Sequence, residues 1–214
     1  MILQSLVRYY EALEKKEKIT SPGWCTAKVS FALDISEKGE LLRVIPLKLE
    51  KQKGKKTVME PQLLRVPEMV TRSSGVSSNF LCDNSGYFLG KLIIKGNQSV
   101  QKNVSLRQRK NIWKYWMGWK ETLLPQFGNF FETWNPGGAA EHPALADSLE
   151  EMIAGANLIF CVDGDWVQND YDVREAWEIY RDGAETDNEG ICLVTGQKTE
   201  ISRIHGLIKG VPGA

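Results

Sequence analysis

The chain lacks the sequence patterns that define several common classes of enzyme. It contains neither G-x-x-x-x-G-K-[ST] nor G-x-G-x-x-G, the glycine-rich patterns that bind nucleotide phosphates. Its two histidines, His142 and His205, do not lie beside a nucleophile pattern. The E-x-K triplet that a metal-dependent nuclease would need occurs at Glu14–Lys16, on the polar face of a predicted helix. We therefore expect no catalytic activity and no cofactor.

Cysteine pairs and long apolar runs are also missing. The four cysteines are Cys25, Cys82, Cys161 and Cys192. They form no C-x-x-C pair, so the ligand spacing of a structural zinc site is absent, and we expect reduced thiols and no metal. No run approaches the ~20 apolar residues that cross a bilayer, and the N-terminus does not resemble a signal peptide. We expect no membrane partner and a cytoplasmic location.

What the chain does have is an uneven distribution of charge. Residues 1–120 carry 22 Lys and Arg against 10 Asp and Glu, whereas residues 121–214 carry 5 against 17. The basic part predicts an anionic partner such as nucleic acid. The acidic part then faces away from nucleic acid or meets a basic protein surface. Alternatively, the two parts complement each other across an internal interface.

The hydrophobic periodicity predicts an α+β fold. An amphipathic helix over residues 2–18 is expected to pack in the core, and the alternative is a helix that docks on a partner. Val29, Phe31, Leu33 and Ile35 alternate with polar or small residues, and Leu41–Glu50 is predicted as the returning strand of an antiparallel hairpin. We expect a basic, sheet-rich region over 1–134 and an acidic, more helical region with one or two short strands over 139–214.

The other elements are predicted from shorter patterns. Helices are expected at 103–122, Gln126–Trp134, Glu141–Gly155 and Tyr171–Arg181, and strands at Tyr87–Lys95, Ala156–Asp163 and Ile191–Gly196. The Pro-Gly-Gly run that ends at Gly138 is the best internal boundary.

A lysine-rich segment follows the first hairpin. Lys51, Lys53, Lys55 and Lys56 surround Gly54 with no acid among them. Such a run is commonly a solvated loop, but it also suits non-specific contact with a phosphate backbone.

The stretch Thr71–Lys95 combines a serine-rich loop with an aromatic step and a turn. Small residues let backbone N–H groups approach a partner closely, and Gly75 tolerates a positive φ. The stretch is either a nucleic-acid contact or an ordinary connection that meets only water.

Three segments carry a resemblance to a known family. MILQSLVRYYEAL, SSNFLCDNSGYFLGK and CLVTGQKTEISRIHGLIKGVPGA resemble the large subunit of the type I-C CRISPR interference complex, Cascade. The likeness extends over the whole chain, and members of this family are longer. It implies that the chain is the N-terminal part of such a subunit, without its C-terminal helical domain.

The resemblance implies a function in guide-directed DNA recognition. In such complexes the guide RNA reads the target sequence, and the protein reads a short protospacer-adjacent motif (PAM) in the duplex. The expected partners are double-stranded target DNA bearing a PAM, guide RNA, the other Cascade subunits and the helicase–nuclease effector. Viral anti-CRISPR proteins that mimic DNA would also suit the basic region.

The resemblance assigns the PAM role to the serine-rich loop. Asn79 is expected to bond base edges and Phe80 to wedge against a base step. The remaining residues that we expect at the PAM are Arg72, Ser74, Gly75, Ser77, Ser78 and Asn84. Candidate phosphate contacts are Lys51, Lys53, Lys55, Lys56, Lys91, Lys95, Arg107, Lys110 and Lys114. The competing hypothesis is a scaffold that grips the guide RNA handle and a neighbouring subunit without reading DNA.

Overall fold

The computed structural model describes residues 2–69, 78–90, 125–182 and 189–201. It divides into a larger unit, Thr20–Glu178, and a smaller unit made of Met1–Ile19 and Ile179–Ala214. The mixture of an N-terminal helix, mainly antiparallel sheets and further helices confirms the predicted α+β class. No described helix is long and apolar enough to cross a membrane.

The elements are numbered in chain order. The strands are β1 (Trp24–Val29), β2 (Phe31–Ile35), β3 (Leu41–Pro46), β4 (Lys48–Lys53), β5 (Lys56–Pro67), β6 (Asp83–Asn84), β7 (Asn157–Val162), β8 (Asp165–Trp166), β9 (Glu189–Ile191) and β10 (Lys198–Glu200). The α-helices are α1 (Ile2–Lys15), α2 (Ser85–Phe88), α3 (Pro125–Thr133), α4 (Leu149–Ile153) and α5 (Tyr171–Asp182). Short 3-10 turns lie at Pro136–Ala140, Pro143–Leu145 and Val167–Asn169.

A five-stranded sheet forms the centre of the larger unit. Its order is β3-β2-β7-β6, with β8 also paired to β7. β2 pairs antiparallel with β3 and parallel with β7. The predicted buried strand at Ala156–Asp163 is therefore confirmed as β7, and it joins the acidic region of the sequence to the basic one.

β2 is buried on both faces. Phe31, Leu33 and Ile35 face a core that includes the aromatic side chains of α2 and α3. Ala32 faces a second apolar layer, which lies between the two sheets of the larger unit. The small side chain of Ala32 allows the second sheet to pack against this face of β2.

The second sheet has three strands in the order β1-β5-β4. The predicted returning strand Leu41–Glu50 is in fact two strands, since β3 pairs with β2 whereas β4 pairs with β5. The chain changes sheets at buried Leu47, whose N–H donates to Ser30 O (2.7 Å) and whose C=O accepts from Gln62 N (2.9 Å). Pro46, which lacks an N–H, ends β3 at this crossing.

Two other predictions are wrong in part. The helix predicted over Glu141–Gly155 is a 3-10 turn followed by the five-residue helix α4. Pro143 sits within that turn, where its fixed φ suits a helix start but its ring prevents a helix from running through. The strand predicted from Tyr87 is also wrong at its start, because Tyr87 and Phe88 lie in α2.

Two helices are confirmed. The predicted helix Gln126–Trp134 corresponds to α3, in which Phe127 and Phe130 are buried. The predicted helix Tyr171–Arg181 corresponds to α5. The predicted helix over 103–122 lies outside the described residues.

The smaller unit lacks a core among its described residues. Helix α1 forms as predicted but has no buried residue, so its placement in the core is wrong. Its apolar residues are among the most exposed large apolar residues that the structure describes, with Ile2 80% and Leu3 60% exposed. The predicted strand Ile191–Gly196 is wrong after Ile191, which ends β9, because residues 192–196 lie in the turn between β9 and β10. The predicted boundary at 135–138 does not coincide with the division into units.

Candidate nucleic-acid interface

The lysine-rich segment forms a two-stranded ribbon. β5 has twelve residues, of which Gln62–Pro67 pair with β1 and Lys56–Pro61 pair with β4 alone. A strand of this length spans about 40 Å, so half of it extends past the edge of β1. Such a ribbon has the dimensions that the major groove of DNA admits.

The tip of the ribbon is a tight turn at Gly54-Lys55. Gly54 has a φ of +63°, which favours glycine, and no other atom lies within 4 Å of the place where a Cβ would be. Lys53 and Lys56 pair across the turn. The tip is therefore open to solvent, and its side chains can reach a partner without displacing protein atoms.

The two faces of the ribbon differ chemically. Because side chains alternate along a strand, Lys51, Lys53 and Lys56 share one face with Glu60. The opposite face carries the cross-strand pair Gln52 and Thr57. The cationic face is the side that a phosphate backbone would contact.

Glu60 links two of the four lysines. The Lys51 Nζ–Glu60 Oε2 distance is 3.1 Å, and the Lys53 Nζ–Glu60 Oε1 distance is 2.5 Å. These hydrogen bonds, first from Lys53 and then from Lys51, lower the pKa of the Glu60 carboxyl to about 2. Both lysine side chains remain 64% exposed, so they are accessible although they are paired. Lys55 and Lys56 have no acidic partner within the part of the chain that the structure describes.

The base of the ribbon is fixed to the larger unit. Lys48 forms an ion pair with Glu151, and its Nζ lies 5.0 Å from the centre of the Phe31 ring. Arg65 donates to Ser21 Oγ (2.9 Å) and stacks over Trp24 at 5.1 Å. Lys48 and Arg65 therefore hold the ribbon, whereas the lysines nearer the tip project into solvent.

The described end of the serine-rich loop is held by internal contacts. Asn79 is 2% exposed, and its backbone N–H donates to Asp83 Oδ2 (2.8 Å). Phe80 stacks on Trp177 with ring centres 5.2 Å apart and planes at 9°. The Trp177 indole N–H donates to Gly23 O (2.7 Å). In this structure Asn79 and Phe80 anchor the loop to the body of the larger unit.

Two further loop residues make local hydrogen bonds. Ser78 Oγ donates to Asn79 O (3.1 Å), and Asn84 caps α2 by accepting from Gly86 N (2.9 Å). The remaining candidate residues lie outside the described residues: Arg72, Ser74, Gly75, Ser77, Lys91, Lys95, Arg107, Lys110 and Lys114. Their assignment to nucleic-acid binding stays a prediction.

Sequence reasoning missed the acidic partners of the basic residues. Glu60 is seven or more positions from either lysine, and only the β4–β5 register brings them together. Asp34, buried in β2, likewise accepts from Arg43 Nε (2.8 Å) and from Gly164 N (2.9 Å). A search for an acid on the strand following the lysine tip would have found Glu60.

The described residues give no sign of a metal or redox centre. No group of three or more His, Cys, Asp or Glu is arranged to hold a metal ion within the described ranges. The four cysteines are thiols. Burial raises the pKa of Cys82 and of Cys161 to about 12, as expected for inert thiols in an apolar layer.

The fold and the ribbon define a class of protein: an α+β protein that presents lysines on an exposed β-ribbon. The chain belongs to the family described as CRISPR-associated protein (Cas_Csd1), whose family model matches residues 6–214. It is therefore a CRISPR-associated protein related to the type I-C Cascade, as the resemblance implied. A search of curated proteins found no match.

Proposed function

We propose that this chain is a non-catalytic, nucleic-acid-binding part of an RNA-guided CRISPR interference complex. It recognises the PAM in target duplex DNA, assists the opening of the duplex and helps to recruit the helicase–nuclease. It works beside guide RNA and the other Cascade subunits. The observation that supports this most is the exposed lysine ribbon in a member of a CRISPR-associated family.

The physical basis of the proposal is release of counterions. Four lysines within six residues of a hairpin tip can neutralise neighbouring phosphates, and each neutralised phosphate of B-DNA contributes about −0.9 to the slope of log K against log salt. These contacts carry no sequence information, so they position the duplex and leave PAM reading to other residues. The ribbon therefore supplies affinity, and the serine-rich loop supplies discrimination.

The first experiment substitutes all four ribbon lysines, Lys51, Lys53, Lys55 and Lys56, with Gln. We expect binding of PAM and non-PAM duplexes to weaken by a similar factor, on the order of 100-fold at low salt, with the salt slope reduced by roughly 3 to 4. The matched control is the quadruple Gln variant of four exposed lysines elsewhere: Lys15, Lys16, Lys18 and Lys38. A selective loss for PAM-bearing duplex would contradict a phosphate-only role.

The second experiment tests the loop in an assembled complex. Reading bases with Asn79 requires its buried side chain to leave the protein interior. Asn79→Ala should abolish discrimination between PAM and non-PAM duplex if Asn79 reads bases. If Asn79 only anchors the loop, Asn79→Ala should lower the melting temperature. Discrimination between PAM and non-PAM duplex should then persist at temperatures where the variant is folded. Intact discrimination in Asn79→Ala, Phe80→Ala and Ser77→Ala alike would overturn the loop assignment.

A second candidate function is docking of a basic protein partner through α5. Asp172, Glu175 and Glu178 are exposed at three-residue spacing, which places them on neighbouring parts of one helix face. Asp172→Lys with Glu175→Lys should block recruitment of the helicase–nuclease and leave DNA binding unchanged. Asp170 is a poor choice for this test because its Oδ1 caps α5 by accepting from Val173 N (3.0 Å). Unchanged recruitment would exclude this face.

A further inference from the structure

The contact between Glu60 and the ribbon lysines has a consequence for how the ribbon would bind DNA. The Glu60 carboxylate places one oxygen on Lys51 and the other on Lys53, so a single anion bridges two cations on one face of the hairpin. Two oxygens of one phosphate could satisfy the same pair of ammonium groups. The site thus already holds an internal anion.

We propose that Glu60 is a built-in competitor for backbone phosphate at the Lys51–Lys53 pair, and that it keeps the ribbon's affinity for arbitrary duplexes low. This inference rests on the proposed function and names how the same site is regulated. Binding of a phosphate separates the Lys51 and Lys53 ammonium groups from the carboxylate, which then turns to solvent. Lys55 and Lys56 make the first contact because they have no acidic partner within the described residues.

The surroundings of Glu60 permit this exchange. Its side chain is 26% exposed and those of the two lysines are 64% exposed, so all three groups can reorient without opening the core. Its pairing with the lysines holds the carboxyl pKa at about 2, and the internal anion is therefore charged at any pH used for DNA binding. Exposed ion pairs of this kind are weak because solvent screens them, so a phosphate backbone can outcompete them.

The chain contains a matched control. Glu50 lies on the same hairpin, but it pairs across the strands with Met59 on the opposite face and forms no ion pair among the described residues. Glu60→Gln and Glu50→Gln remove the same formal charge from the same ribbon. The difference between them isolates the lysine-bridging contact from the general effect of charge.

The experiment measures binding of the 214-residue chain to a fluorescent duplex of arbitrary sequence by anisotropy at several salt concentrations. We expect Glu60→Gln to bind about 2- to 20-fold more tightly than Glu50→Gln at low salt. In a Lys51→Gln/Lys53→Gln background, Glu60→Gln and Glu50→Gln should bind DNA equally. The Glu60 carboxylate then has no lysine ammonium group to occupy. Circular dichroism melting confirms that each variant is folded.

The outcomes separate this inference from the proposed function. If the Gln variant of all four ribbon lysines binds as the unsubstituted chain does, the ribbon is not the DNA contact and both proposals fail. If that variant loses affinity while Glu60→Gln and Glu50→Gln behave alike, only the competitor role is overturned. A larger gain for Glu60→Gln that persists without Lys51 and Lys53 would also overturn it.

Discussion

The two sheets of the larger unit contain one strand each, β2 and β4, that are buried to opposite extents. In β2 every residue is buried, whereas in β4 five of six residues are exposed. β2 lies between two apolar layers, whereas β4 is an edge strand that forms the ribbon with the first half of β5. The five-stranded sheet is therefore the scaffold of the larger unit, whereas the three-stranded sheet ends in an exposed strand.

The largest expected effect is a loss of stability on substitution in the core of the five-stranded sheet. The Phe160 ring lies within 4.7–6.0 Å of the rings of Phe88, Phe127, Phe130 and Phe131. Phe160→Ala should lower the free energy of unfolding by about 3–5 kcal/mol, because it leaves a cavity in the aromatic core. Urea unfolding followed by tryptophan fluorescence measures this loss. A change below about 1 kcal/mol would show that the five-stranded sheet is not the principal core.

Two turn glycines compare the sheets directly. Gly39, with φ +82°, follows β2, and an added Cβ would lie 2.5 Å from Gln126 O and from Phe130 N of α3. Gly39→Ala should cost about 2–5 kcal/mol through backbone strain and overpacking. Gly54→Ala should cost only about 1–2 kcal/mol, since the added Cβ strains the backbone but meets no other atom. Equal melting temperatures for the two variants would contradict the claim that the Gly39 turn is packed against α3 and the Gly54 turn is open.

The layer between the sheets can be probed by its thiols. Cys82 and Cys161 lie in this layer, and with a pKa of about 12 only about one thiol in ten thousand is ionised at pH 8. Cys192, half-buried, has a lowered pKa because Thr195 and Val194 hydrogen-bond its sulfur. Iodoacetamide should therefore modify Cys192 first, and Cys82 and Cys161 only after unfolding. Peptide mass spectrometry gives the order, and early labelling of Cys161 would indicate that the sheets separate.

A smaller effect is expected from the Glu60 ion pairs. Because the pKa of Glu60 falls from about 4.5 to about 2 on folding, these pairs stabilise the folded chain above pH 4.5. Their contribution is lost as the pH falls through 2. NMR titration of the Glu60 carboxyl carbon should give a midpoint near 2, and one near 4.5 in Lys51→Gln/Lys53→Gln. Identical midpoints would show that the bridge does not form in solution.

Local patterns predicted much of the scaffold. The apolar run at Asn157–Val162 has the length of a buried strand, and the aromatic spacing after Pro125 has the period of a helix. The lysine tip was also predictable, since Gly54 with flanking lysines forms a turn. These features depend on neighbours in the sequence.

The rest depends on distant residues and could not be predicted. The change of sheet at Leu47 is set by hydrogen bonds to Ser30 and Gln62, and the burial of Asn79 is set by packing of the whole unit. The α1 periodicity shows which helix face is apolar, but it does not show what covers that face.

The most direct test compares the ribbon lysines with exposed lysines elsewhere in the chain in one binding measurement. The ribbon variant with Gln at Lys51, Lys53, Lys55 and Lys56 should remain folded, since these side chains are exposed and pack in neither core. We predict that it nevertheless loses most duplex affinity and much of its salt dependence, while the control at Lys15, Lys16, Lys18 and Lys38 retains both. Equal affinity and equal salt slope in the two variants would contradict a role of the ribbon lysines in binding DNA.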